Sequence, residues 1–144
     1  MTTLVGKRIG EYQVMALLGE GGMARVYRAR RSDMDHDIAL KIIQPDLENT
    51  ELFTKRFERE AQTVAALNYP HILKIVEYGR HKNTFFFATE LLTGGSLDQL
   101  LRKGPLPLEA AQQFMEKLGS ALAYAHQQGI VHRDLKPQNV MLNA

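Results

Sequence analysis

Apolar and polar residues along this chain change period once, and the change divides it in two. Tyr12 to Leu18 reads as a strand, with a glycine-rich turn behind it, Gly19-Glu20-Gly21-Gly22. Extended character resumes from Arg25 to Arg30, so the pair reads as a hairpin. Ser32 to Asp37 is polar and turn-like, and Ile38 to Ile43 is a short apolar run that suits a buried strand, closed by Pro45. Between Glu51 and Leu67 the apolar residues Phe53, Phe57, Val64 and Leu67 recur at helical spacing, with Ala61 and Glu60 on or beside that face. Asn68-Tyr69-Pro70 stops this helix. Ile72 to Tyr78 and Phe85 to Leu91 then read as strands around a polar turn, Arg80 to Asn83. Past Gly94-Gly95 the pattern is helical. Ser96 suits the N-cap of a short helix, Leu97 to Arg102. Pro107 to Gln128 is a long one, with Ala111, Phe114, Met115, Leu118, Leu122 and Ala125 along one side and Gly129 as its stop. Five strands with one helix, then helices after a glycine break, predict an α+β protein in two parts.

Composition narrows this little. The 144 residues are 44% hydrophobic and 24% charged, an ordinary globular balance able to bury one sizeable core. The net charge of +2 is not gathered into a basic run, so there is no electrostatic case for nucleic acid. Without cysteine there is neither a disulfide framework nor a thiolate metal site. Met1 to Gly10 lacks the apolar centre of a signal peptide. No apolar run approaches the roughly 20 residues of a membrane helix. The expectation is a cytoplasmic segment with no membrane span of its own; an anchor in a longer parent stays open.

Two features carry candidate chemistry. The turn from Gly19 to Val26 fits a dinucleotide-binding loop, a loop between two strands that lies over nucleotide phosphates, or a plain hairpin turn. Glycine suits both phosphate roles because backbone N–H groups must approach oxygens without a Cβ in the way. The stretch after it is arginine-rich with no helical apolar stripe, which disfavours a strand-to-helix loop, and no P-loop pattern occurs. Ala24 stands where a third glycine would. The second feature is Lys41, an ammonium among Ile38, Leu40, Ile42 and Ile43. It either snorkels from an edge strand or meets anionic partners, a phosphate and a carboxylate. Glu60 is the candidate carboxylate; its competing role is a solvated charge cluster with Arg56.

The specific signal is His132-Arg133-Asp134-Leu135-Lys136-Pro137-Gln138-Asn139, which fits the H-R-D-L-x-x-x-N pattern in every fixed position. Ile38-Ala39-Leu40-Lys41 fits V-A-I-K. With these motifs the chain resembles the eukaryotic-like Ser/Thr protein kinases, and its Gly-Gly-Met-Ala loop resembles bacterial members. The resemblance covers about residues 10 to 144. It implies a protein-kinase-like fold: a five-stranded N-lobe and hinge over about 10–92, and the start of a helical C-lobe over 93–144. It also implies ATP and Mg²⁺ as cofactors and a protein Ser/Thr hydroxyl as acceptor. Asp134 would orient the hydroxyl, Lys136 steady the γ-phosphate, and Asn139 bind Mg²⁺. Leu18, Gly19, Glu20, Gly21, Gly22, Val26 and Ala39 would surround the nucleotide. Lys41, paired to Glu60, would hold its phosphates. Thr89 would be the gatekeeper, Glu90 to Leu92 the hinge, and Met141 the adenine floor.

A kinase domain runs to on the order of 250 residues, and no Asp-Phe-Gly or Ala-Pro-Glu occurs here. The resemblance therefore leads to the expectation of a partial kinase domain, cut after the catalytic loop and lacking one metal carboxylate and the cover for its long helix. A non-catalytic nucleotide-binding or protein-docking module derived from a kinase is the alternative. An oxidoreductase using the glycine turn leaves 132–139 unexplained.

Overall fold

The computed structural model describes residues 4–21, 24–43, 50–82, 84–130 and 140–142. The chain divides into two compact units, Met1–Ala66 with Leu73–Leu91, and Leu67–Ile72 with Leu92–Ala144.

The first unit is an antiparallel sheet with one helix. In chain order it holds β1 (Arg8–Ile9), β2 (Tyr12–Gly21), β3 (Ala24–Arg31), β4 (Ile38–Ile43), α1 (Thr50–Ala65), β5 (Ile75–His81) and β6 (Thr84–Glu90). The strands lie in the order β1-β2-β3-β4-β6-β5. This is one strand more than the pattern predicts, because β1 has only two residues, too short to show a period. Strand alternation sorts the side chains onto two faces. Tyr12, Val14, Tyr27, Ala29, Ile38, Leu40, Ile42, Phe86 and Ala88 form a buried core on one. On the other, Phe85 and Phe87 receive Phe53, Phe57 and Ala61 of α1, which recur every fourth residue. The Phe57 ring lies 4.7 Å from that of Phe85 and 4.9 Å from that of Phe87.

The sheet is curled. Tyr12 on β2 donates its hydroxyl to Glu77 Oε2 on β5 at 2.6 Å, although three other strands separate the two in the sheet order. A bulge between Ile75 and Glu77 brings Glu77 into register with Ala88 on the core-lined face. Tyr12 also meets Phe86 edge to face at 6.0 Å. Gly79 makes room for that ring: a Cβ there would stand 3.2 Å from Phe86 Cζ.

The second unit holds α2 (Leu97–Arg102) and α3 (Leu108–Gln127). Ser96 and Gln99 form a capping box at the start of α2. Residues 140–142 pair with the segment before it, through Gly94 N to Leu142 O and Leu142 N to Gly95 O, both 2.8 Å. Gly129, at φ 80°, closes α3, where Ile130 N donates to Ala125 O at 2.9 Å. Leu67–Ile72 belongs to this unit: Tyr69 stacks on Tyr124 of α3 at 4.9 Å, and Asn68 N donates to the Tyr124 hydroxyl. For that reason α1 ends at Ala65 and β5 begins at Ile75, later than the apolar Ile72 suggests. On α3, Ala121 and Ala125 are buried, whereas Met115 is 68% exposed.

Candidate active site

Pairing register builds the first unit's share of the site. Gly19 faces Val26 across the hairpin, Val26 faces Lys41, and Lys41 faces Phe87. These four form one row across β2, β3, β4 and β6. They lie on the face that also carries Ala39, which pairs with Thr89 and with Arg28. Ala39 is therefore two residues along the strand from the Val26 row, not level with it. Leu18 occupies the bulge between Leu17 and Gly19, and its side chain is half-exposed. A Cβ built on Gly19 meets nothing within 4 Å. The row thus offers open space over glycine, a small apolar floor from Val26 and Ala39, and a cation.

Lys41 itself is exposed although its neighbours Leu40 and Ile42 are buried. This follows from alternation: Leu40 and Ile42 turn to the core, and Lys41 points the other way with its ammonium in water. The expected Lys41–Glu60 ion pair is absent among the described residues, and so is the competing Arg56–Glu60 pair. The helix explains it. Phe57 and Ala61 face the sheet, and Glu60 is turned about 60° from Phe57 and about 100° from Ala61 and stays exposed. Lys41 and Glu60 are thus in one unit without being joined.

Thr89 is half-buried near the end of β6, and its hydroxyl donates to the Glu90 carbonyl at 3.2 Å. Glu90 is exposed and closes the strand. Leu92 and Met141 belong to the second unit, where Met141 forms an isolated bridge with Ser96. Gly22, His132, Arg133, Asp134, Lys136 and Asn139 lie outside the described residues. Among the described residues no cluster of acidic and histidine side chains could hold a metal. No described helix is long and apolar enough to cross a membrane.

Charge near the row is arranged in pairs. Arg25 meets Glu20 at 3.3 Å at the hairpin tip, and Asp37 meets both Arg30, at 2.7 Å, and Arg28, at 3.6 Å. No sequence motif marks Arg25, Tyr12 or Glu77. Counting back from a Gly19–Val26 pair would have set Arg25 opposite Glu20. Nothing in the local pattern pairs Tyr12 with Glu77.

A family model described as protein kinase domain matches residues 12–144. Serine/threonine-protein kinase PrkC of Bacillus subtilis is 40% identical over 142 residues, which is 97% of this chain and 22% of that protein. Serine/threonine-protein kinase PknD of Mycobacterium tuberculosis is 39% identical over 141 residues, 97% of this chain and 21% of that protein. The crystal structure of the Mycobacterium tuberculosis PknI kinase domain superposes with a TM-score of 0.84 at 29% identity, covering 99% of this chain and 59% of that one. The chain thus spans less than a quarter of the length of either curated relative.

Proposed function

Because the chain belongs to the protein kinase family, and its relatives are bacterial Ser/Thr kinases, we propose that it serves an ATP-dependent protein kinase that phosphorylates Ser or Thr hydroxyls. The observation that carries this reading is the spacing of His132-Arg133-Asp134 and Asn139 downstream of the Gly19–Val26–Lys41 row.

The chemistry assigns the residues. In the transfer, the bond from the γ-phosphorus to the β,γ-bridging oxygen breaks and a bond to the substrate hydroxyl oxygen forms. Asp134 orients that hydroxyl and takes its proton as the new bond forms. Lys136 steadies the transferring phosphoryl oxygens. Lys41 meets the α- and β-phosphates, and the backbone from Gly19 to Gly22 covers them. Leu18, Val26, Ala39 and Met141 hold the adenine apolar surface, with Thr89 behind it and the Glu90–Leu92 backbone at its edge. Lys41 is supported here by its exposure on the row's open face. Glu60, exposed on α1, is the carboxylate proposed to pair with Lys41; the two are not paired in this structure.

An amide oxygen is a hard donor that suits Mg²⁺, which is usually bound by one or two protein oxygens together with substrate phosphates. Asn139 fits that part, and the ion when bound neutralises charge on the phosphates. The use of ATP places the reaction on the cytoplasmic side.

The test is transfer of labelled phosphate from ATP with Mg²⁺ to a generic protein substrate. Activity in the wild type that Asp134→Asn abolishes is the expected result for the kinase. Equal transfer by both proteins would sink the role of Asp134. ATP binding without transfer in either would make the chain a nucleotide-binding module.

A further inference from the structure

Strand β2 departs from regular pairing twice before its glycine turn, between Val14 and Ala16 and between Leu17 and Gly19. Each bulge leaves a residue unpaired and loosens the ladder. The last three register pairs of the hairpin are Gly19 with Val26, Glu20 with Arg25, and Gly21 with Ala24. Glycine has no side chain to set against its partner, so Glu20–Arg25 is the one side-chain pair in that stretch. The Arg25 side chain is 18% exposed, against 60% for Glu20. Beyond its 3.3 Å contact with Glu20, Arg25 donates through Nη1 to the Tyr27 hydroxyl at 3.5 Å. Tyr27 is fully buried in the core of the curled sheet. A chain of polar contacts therefore runs from the tip of the glycine hairpin into the core.

It runs on the far side from the candidate phosphate site. Val26 is in register with Lys41, whereas Arg25 is in register with the buried Ile42. Alternation puts Glu20 and Arg25 on the face away from Lys41. Side chains there can hold the tip without occupying the space a phosphate needs.

We propose that Arg25 is a positioning residue: through Glu20 and Tyr27 it holds the Gly19–Gly21 end of β2 in the register its backbone N–H groups need to meet nucleotide phosphates. This rests on the nucleotide-binding reading above. Glu20 then gives its carboxylate to Arg25 and its backbone to the nucleotide.

Simple charge and bracing predict opposite results for one variant. Glu20→Gln removes a negative charge near the phosphates and by charge alone tightens ATP binding; Arg25→Gln weakens it. If the pair acts as a brace, both variants weaken binding. An ion pair of this exposure corresponds to a loss of about three- to fivefold. MgATP affinity is measured by calorimetry on the 144-residue chain and on Glu20→Gln, Arg25→Gln and the charge swap Glu20→Arg with Arg25→Glu. Both Gln variants are expected to weaken binding, and the swap to return to within about twofold of wild type. Glu20→Gln binding as tightly as wild type, or a swap no better than its single reversals, overturns the proposal. Amide exchange on the nucleotide-free chain is the second readout: a peptide over residues 18–27 should exchange faster in both Gln variants and recover in the swap. Unchanged exchange overturns the brace. No ATP binding by wild type, with exchange behaving as stated, overturns the nucleotide-binding reading and leaves the brace standing.

Discussion

Replacing Tyr12 with Phe removes one oxygen and leaves the ring, so it isolates the bond that ties β2 to β5 across the curled sheet. The hydroxyl donates to Glu77 Oε2 at 2.6 Å and Tyr12 is 1% exposed. A hydrogen bond to a charged group is worth about 1.5–3 kcal/mol net. Glu77 is 44% exposed and keeps Arg31 Nη1 at 3.3 Å, so its carboxylate can rehydrate once the partner is gone. The low end applies, about 1.5 kcal/mol at pH 7. The same contact makes a second, independent demand. Burial above all, and then the hydrogen bond and negative charge of Glu77, push the Tyr12 phenol up from 10.0 to about 12, while Arg31 pulls the other way. A folded pKa above the unfolded one gives stability that is full below pH 10 and lost as pH rises toward 12. By pH ~11 wild type should have lost stability on the order of 1 kcal/mol that Tyr12→Phe cannot lose. Urea denaturation of both chains at pH 7 and at about pH 11 measures this, and ionisations common to the two cancel in the difference. The gap at neutral pH should narrow markedly in alkali. A gap of the same size at both pH values would refute the reasoning, as would two chains of equal stability at pH 7.

Three further outcomes follow from the packing and the candidate site. Phe57→Ala empties the contact of α1 with Phe85 and Phe87 and should cost about 3–4 kcal/mol by denaturant titration; a loss below about 1 kcal/mol would mean the helix is not docked there. Ser96→Ala removes the capping box of α2 and should cost about 1 kcal/mol, read from the same titration, while Ser96→Asp should lose little. Lys41→Met should leave the unliganded chain's stability nearly unchanged, because the ammonium is exposed, yet abolish most of the rise in thermal midpoint that ATP produces in wild type; an equal rise in both would remove Lys41 from the site.

Much of the first unit was legible because its signals are short-range. Strand alternation over Ile38–Ile43 and the helical spacing of Phe53 and Phe57, with Ala61 beside them, involve neighbours a turn or a pleat apart, although Val64 of the same stripe is exposed and Leu67 belongs to the second unit. The Ser96 cap and the Gly129 stop are equally local. The glycine turn and Lys41 fell into one row because a hairpin and its next strand pair by register. The motif at 132–139 is read from spacing alone, and the family match over residues 12–144 agrees with it.

Other choices could be made only by the folded chain. Ile72 has the apolarity of a strand residue, yet Leu67–Ile72 joins the second unit, where Tyr69 finds the ring of Tyr124 far along the sequence. Glu60 stands at the right place in the sequence to meet Lys41, but the aromatic stripe sets the rotation of α1 and leaves the carboxylate in water. Tyr12 and Glu77 belong to strands that are not neighbours, and each alone reads as an ordinary strand residue. Their bond exists because the sheet curls around its core and a bulge turns Glu77 toward it. Local pattern reports which way a side chain points relative to its own element. Which partner waits there depends on how distant elements share the burial of apolar surface, and that is settled by the whole packed unit.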